Sequence, residues 1–222
     1  YRGNKMINWD PKAKTAVSDE EVIYKDQNSS LYYVDYKILD SQSVITVATT
    51  RPETILGDTA ICVNPNDKRY SKLIGSQVIV PLINRVIPII TDEYIDPEFG
   101  TGALKVTPAH DINDYEIGKK NDLEMISVID EDGLMHRNAK LYIGEDRFDV
   151  RQKIIEDIAD CGQLNKIESI QNKVGFSERT DVVIEPRLST QWFMKMEKLV
   201  DPALEAVVDG SINFYPKKAI KT

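Results

Sequence analysis

Between Leu31 and Thr107 the apolar residues fall in short runs separated by Gly, Pro, Asp and Asn, the punctuation of a chain built from many short strands. LYYVDYKIL, from Leu31, alternates as a half-buried strand does, and Val44–Ala48 reads as a second. Ala60–Val63, Gln77–Val80, Val86–Ile90 and Ala103–Thr107 read as short further strands. Met125–Ile129 reads as another, leading to a turn at Glu131–Gly133 whose glycine supplies a positive φ. Such a pattern predicts an α/β body, barrel-like and mixed-strand, over residues 31–180.

Three helices are expected to pack on it. One runs from near Asp111 to Asn121, acidic at its start and with Lys119 and Lys120 at its end, as the helix dipole favours. A second covers roughly Phe148–Cys161, with a stripe of Phe148, Ile154, Ile155, Ile158 and Ala159 and with Gly162 past its end. A third starts from the N-cap and N1 pair Asp201-Pro202 and runs to Gly210. Residues 1–30 and 181–222 look less self-sufficient and read as a two-segment connecting stalk. The chain begins at Tyr1 as though cut from something longer.

With 28 Lys and Arg against 36 Asp and Glu, the net charge is −8. That argues against a stand-alone nucleic-acid binder, whose affinity comes from cations, but not against a site that grips one nucleotide end. The longest apolar runs are too short and Pro-broken to span a bilayer, so no membrane partner is expected. With no leader, and with Cys62 and Cys161 reading as structural residues, a reducing cytoplasm is the expected setting.

Chemistry concentrates in two stretches. In GTGALKVTPAHDINDY, Gly100–Tyr115, Lys105 and Thr107 share one face of a strand, and Asp111 and Asp114 share one face of a helix start. One cation, one hydroxyl and two carboxylates suit a small ligand with an ammonium and a polar side chain. Asp111 as N-cap with Asp114 at N3 is also an ordinary helix start. His110 beside two aspartates leaves a metal-dependent hydrolase open as a competing reading. In VATTRPETILGDTA, Val47–Ala60, Thr49, Thr50 and Thr54 cluster hydroxyls around Arg51 and Glu53, suited to a ribose, a carbonyl oxygen or a phosphate. A turn held by threonine–backbone bonds with a surface Arg51–Glu53 pair fits the same residues. Phe99 fits either a base-stacking surface or a core aromatic.

TTRPET at Thr49–Thr54, followed by Gly100–Tyr115, resembles the editing insertion of class I aminoacyl-tRNA synthetases, most closely its valine-specific branch. A leucine-specific relative would carry Met and Val where Lys105 and Thr107 stand. An isoleucine-specific one would have a Thr-Pro-Trp form of the first motif. The flanking segments look like those that join this insertion to an aminoacylation core. The resemblance implies post-transfer editing, the hydrolysis of threonyl-tRNA(Val). It implies Asp114 on the substrate ammonium, Lys105, Thr107 and Asp111 on the threonine hydroxyl, and Arg51, Thr49, Thr50 and Thr54 toward the terminal adenosine and ester. The expected partners are the aminoacylated 3′ end of tRNA(Val) and the rest of a synthetase chain. No cofactor, metal or covalent intermediate is expected, and no ATP use, since the signatures of the nucleotide-binding core are missing. The fragment is expected to be a monomer. A binding module inactive without the full synthetase, and a leucyl- or isoleucyl-type editor, are the alternatives.

Overall fold

A computed structural model describes residues 1–216. Contacts divide the chain into two compact units, Tyr1–Lys5 with Ser189–Thr222, and Met6–Leu188. The strands are β1 (Arg2–Asp10), β2 (Thr15–Val17), β3 (Val22–Ile38), β4 (Val44–Thr49), β5 (Ala60–Val63), β6 (Gln77–Ile79), β7 (Val86–Thr91), β8 (Ala103–Val106), β9 (Leu164–Ser177) and β10 (Glu185–Trp192). The helices are α1 (Ile112–Lys120), α2 (Arg147–Asp160) and α3 (Glu197–Val208).

In the larger unit the main sheet has the order β4-β3-β6-β7-β5-β8, with β9 added to the far half of β3. Only the β5–β7 pair is parallel; the other pairs are antiparallel. The end strands β4 and β8 lie against each other without pairing, so the sheet curls into a half-barrel. Its interior is filled by Tyr36, Ile45, Val47, Ile61, Val63, Val78, Ile87 and Ile89, closed on one side by Ile154 and Ile158 of α2. Each such side chain contributes roughly 1.5–3 kcal/mol when taken out of water. β5 is buried on both faces: Ile61 and Val63 face this core, while Ala60 and Cys62 meet Val106 and Ile117 of α1. That explains its unbroken apolar sequence.

α1 starts at its Asp111 cap, as expected. α2 is capped by Asp146 and followed by Gly162 at φ +68°. Its buried stripe is Arg147, Val150, Ile154, Ile155 and Ile158. Phe148 and Ala159 fall outside it, because a 3.6-residue period from Ile154 reaches Val150 and Arg147 instead. Phe148 lies half exposed under the guanidinium groups of Arg147 and Arg151. Met125–Ile129 is not a strand: apart from one bridge, Ile129 to Met135, it runs without a ladder partner. The β3–β9 ribbon, paired from Val22–Ser177 to Tyr33–Lys166, was not expected over most of its length. Its middle, Lys25–Ser30 of β3, is wholly polar, and the apolar residues of β9 are scattered.

In the smaller unit the amino terminus donates to the Phe193 carbonyl at 2.8 Å, and the Tyr1 and Phe193 rings lie 5.7 Å apart. α3 begins at Glu197, before the expected Asp201 start, and takes Pro202 into its interior. None of its side chains is buried. Among the described residues no helix is long and apolar enough to cross a membrane.

Candidate functional site

Strand alternation turns Lys105 and Thr107 to the same side as Ala103, toward the sheet interior. Facing them is a buried 3-10 turn, Pro52–Gly57, which starts where Pro52 ends the extended path of β4. The turn carries Thr54, and Asp58 caps its end. Lys105 Nζ donates to Thr54 Oγ1 at 2.8 Å, to Thr107 Oγ1 at 2.5 Å and to Asp58 Oδ1 at 3.1 Å. All three ammonium protons are thereby used. Thr107 Oγ1 donates to Asp58 Oδ1 at 2.6 Å, and the Tyr36 hydroxyl to Asp58 Oδ2 at 2.5 Å. Asp58 is fully buried. Burial raises its pKa, and the Lys105 ammonium with the Thr107 and Tyr36 hydroxyls offsets only part of that rise. A buried carboxylate persists only with such partners.

Asp114 stands at the third position of α1 and turns Oδ2 back to accept the Thr107 amide N–H at 2.8 Å. It is 5% exposed. Burial, and then the Asp111 charge, push its pKa up to about 7, against the opposing pull of Lys105. Asp111 caps the helix, its Oδ1 accepting from the amides of Asn113 and Asp114 at 2.8 and 3.1 Å. The capping reading of its sequence position thus holds.

Arg51 does not form a surface pair. Its Nε donates to buried Glu53 at 3.1 Å, its Nη1 to the His110 carbonyl at 3.0 Å and its Nη2 to both oxygens of Glu185 at 2.6 and 2.8 Å. Glu53 is gripped a second time by Arg151 of α2, at 2.8 and 2.9 Å. Burial works against the charged form of Glu185, but Arg51, His110 and Arg147 outweigh it and draw the pKa down to about 2. His110 Nε2 accepts the Val128 amide N–H at 2.8 Å, leaving Nδ1 to carry the proton toward Glu185, 3.3 Å away. Burial lowers its pKa, which keeps it neutral. Both ring nitrogens are therefore engaged, which removes the observation behind the metal-hydrolase reading.

Part of this network opens on a cleft of about 870 Å³, while Asp58, Glu53 and Glu185 lie behind its wall. Thr49, Thr50, Arg51, Thr54, Phe99, Lys105, Thr107, Asp111 and Asp114 all border it. Thr49 Oγ1 accepts the Arg51 amide N–H at 3.0 Å, which sets the bend into the turn. Phe99 is 79% exposed, so it is no core aromatic. The chain turns away after it through Gly102, at φ +75°, where a Cβ would meet the Pro97 carbonyl at 2.8 Å. A second cleft, of about 780 Å³, shares Thr50, Arg51, Asp111, Asn113 and Asn172 with the first.

Sequence reasoning missed Asp58, Glu185, Tyr36, Arg147 and Arg151. For Asp58 a signal emerges only once Lys105 is known to be buried: such a lysine needs a counterion, and Asp58 lies two residues before β5, the strand that pairs with β8. Glu185 and Arg147 carried none, because their partners are distant in sequence and lie in polar surroundings.

A profile of the class I tRNA synthetases (I, L, M and V) matches residues 1–222. The valine--tRNA ligase of Parabacteroides distasonis is 59% identical over 98% of this chain and 25% of that protein. Those of Bacteroides fragilis and Enterococcus faecalis are 58% and 52% identical over 98% and 100% of this chain, again 25% of their length. The chain thus spans about a quarter of the length of the curated relatives it matches. Among solved structures, the LeuRS of Agrobacterium radiobacter K84, in a ternary complex with tRNA and LeuAMS, is similar at 17% identity over 78% of this chain and 30% of that one, with a TM-score of 0.49.

Proposed function

The chain belongs to the class I tRNA synthetase family, and from that premise we propose that it is the family's editing region in its valine-specific form, hydrolysing threonyl-tRNA(Val). The observation that carries this reading is the meeting in one cleft of a nearly buried carboxyl, Asp114, with the polar cluster of Lys105, Thr54 and Thr107. A hydrophobic synthetic pocket cannot strongly reject an isostere that only adds a hydroxyl. A polar cluster that bonds the hydroxyl can, because valine leaves buried polar atoms unpaired.

Asp114, as a carboxylate, holds the α-ammonium of the aminoacyl group, and the Lys105–Thr107 floor receives the threonine side chain. Asp111 reads the threonine hydroxyl beside that floor, Thr49, Thr50, Arg51 and Thr54 border the ester and ribose side, and Phe99 offers a face on which the terminal adenine stacks. Water adds to the ester carbonyl carbon, the carbonyl–oxygen bond to the ribose breaks, and the ribose oxygen leaves with a proton. The protein places the reactants and stabilises developing charge. The acidic chain receives only the 3′ end, leaving most phosphate contacts to the remainder of a synthetase. It acts as a single copy in the cytoplasm, a setting consistent with its two free thiols.

The test is release of amino acid from threonyl- and valyl-tRNA(Val) by this chain in chelator. Selective release of threonine supports the reading. Release of neither moves catalysis to the full synthetase and leaves a binding module, while loss of activity only in chelator supports a metal hydrolase.

A further inference from the structure

Resting on the editing function above, we infer that Asp58, wholly buried behind the cleft floor, is a positioning residue that makes that floor accept hydrogen bonds and donate none. The site then selects a side chain by its hydroxyl proton.

Every proton on the floor is already turned inward. Lys105 spends its three on Thr54, Thr107 and Asp58. The Thr54 hydroxyl gives its own to the Arg51 carbonyl at 2.9 Å, and the Thr107 hydroxyl to Asp58 at 2.6 Å. What is left facing the cleft is lone pairs, one on each threonine oxygen after the bond from Lys105. Asp114 adds a free Oδ1, since its Oδ2 takes the Thr107 amide.

Asp58 is the group that imposes this polarity. It takes one ammonium proton and the Thr107 hydroxyl proton on Oδ1, while Tyr36 donates to Oδ2 at 2.5 Å. Without it, one proton of Lys105 and that of Thr107 would be free to point outward. The ligand class that follows is an aminoacyl group with a β-substituent that donates a hydrogen bond. A methyl of valine cannot donate. Neither can a fluorine, which is close to a hydroxyl in size but carries no proton.

The experiment measures binding, by calorimetry, of non-hydrolysable adenosine amides of threonine, valine and 2-amino-3-fluorobutyric acid. The proteins are this chain and its Asp58→Ala and Asp58→Asn variants. The unaltered chain is expected to bind the threonyl compound about tenfold tighter than the fluoro compound, the worth of one hydrogen bond to a buried acceptor. It should treat the fluoro and valyl compounds alike. Asp58→Ala should narrow the threonyl-to-fluoro ratio several-fold, whereas Asp58→Asn, whose carbonyl still accepts from Thr107, should keep it. A merely structural role would weaken all three ligands by one factor and leave the ratios unmoved, and that result overturns the inference. Equal binding of the threonyl and fluoro compounds by the unaltered chain, or binding of none, overturns it as well. Thermal melts establish that the alanine variant is folded; if it is not, the ratio in the unaltered chain and in Asp58→Asn decides. Since hydrolysis is not the readout, a chain that binds selectively but does not deacylate refutes the catalytic reading and not this one.

Discussion

The amide N–H of Thr107, at the end of β8, donates to Oδ2 of Asp114 on α1 at 2.8 Å. This single bond ties the polar floor of the cleft to the carboxyl that faces it. Thr107 follows directly on β8 and Asp114 lies within α1, so the position of the proposed ammonium site relative to the side-chain site is anchored at a strand end and a helix, and rigid elements hold such distances best.

Asp114 titrates near 7, so its charge depends on pH within the working range. Only the carboxylate can hold a substrate ammonium, and that ammonium itself deprotonates at about 8. kcat/KM for threonyl-tRNA hydrolysis is expected to be bell-shaped, falling below about pH 7 as Asp114 is protonated and again above about pH 8. Asp114→Asn should lose at least tenfold in kcat/KM and lose the acid limb. An acid limb unchanged in that variant would assign it to another group.

The same raised pKa has a stability cost with a definite sign. The folded-state value, about 7, lies above the model value of 3.8. The stabilising contribution of this group is fully present below 3.8 and is lost as the pH rises through about 7. Asp114→Asn keeps the neutral form at every pH and retains an oxygen for the Thr107 amide. It should therefore melt close to the unaltered chain at pH 4 and be more stable at pH 8, by roughly 2–4 kcal/mol. Thermal melts at the two pH values check this; equal stability at pH 8 would mean the carboxylate is well solvated.

Lys105 is a structural cation, paired with Asp58 in the cleft floor. Lys105→Ala leaves Asp58 buried without its counterion, and breaking one half of a buried pair costs about 3–5 kcal/mol. Asp58→Ala in the same background removes that orphan, so the double variant should be no less stable than Lys105→Ala alone. Urea unfolding of the two single variants and the double measures the coupling. Additive losses would show that the pair is solvated in solution.

Much of the half-barrel was legible because its strands are short, apolar and bounded by turn residues: Ala60–Val63 is one, buried on both faces. α1 was legible from its acidic start and basic end. The β3–β9 ribbon was not, since Gln27–Ser30 and Ser169–Asn172 pair through backbone and one Ser29–Asn172 side-chain bond, with Ile170 as the one apolar residue among them. In the cleft, Lys105, Thr107 and Asp114 could be grouped by local periodicity. Asp58 could not be weighed without knowing that Lys105 is buried, and Glu185 reaches Arg51 across a sequence separation of 134 residues. Contacts made by tertiary closure leave no periodic trace in sequence.

Glu185 gives the last test, because three basic groups converge on it. Arg51 donates both Nη2 protons to it, His110 Nδ1 lies 3.3 Å away, and Arg147 Nη1, itself without a hydrogen-bond partner, lies 3.6 Å away. Glu185→Ala strands the buried guanidinium of Arg147 and takes one carboxylate from half-buried Arg51, and should cost about 3–5 kcal/mol in urea unfolding. Glu185→Gln keeps one acceptor and should cost less. Since the folded pKa of Glu185 is about 2 against a model value of 4.5, its contribution is fully present above 4.5 and is lost as pH falls through about 2. The stability gap between the unaltered chain and Glu185→Gln should thus stay constant from pH 8 to pH 5 and shrink below pH 4. A gap that closed already at pH 6 would mean that the basic groups do not hold the carboxylate charged in the fold, whereas a gap that widened as pH fell through 6 would assign the leading role to a charged His110, against the amide N–H that Val128 donates to its Nε2.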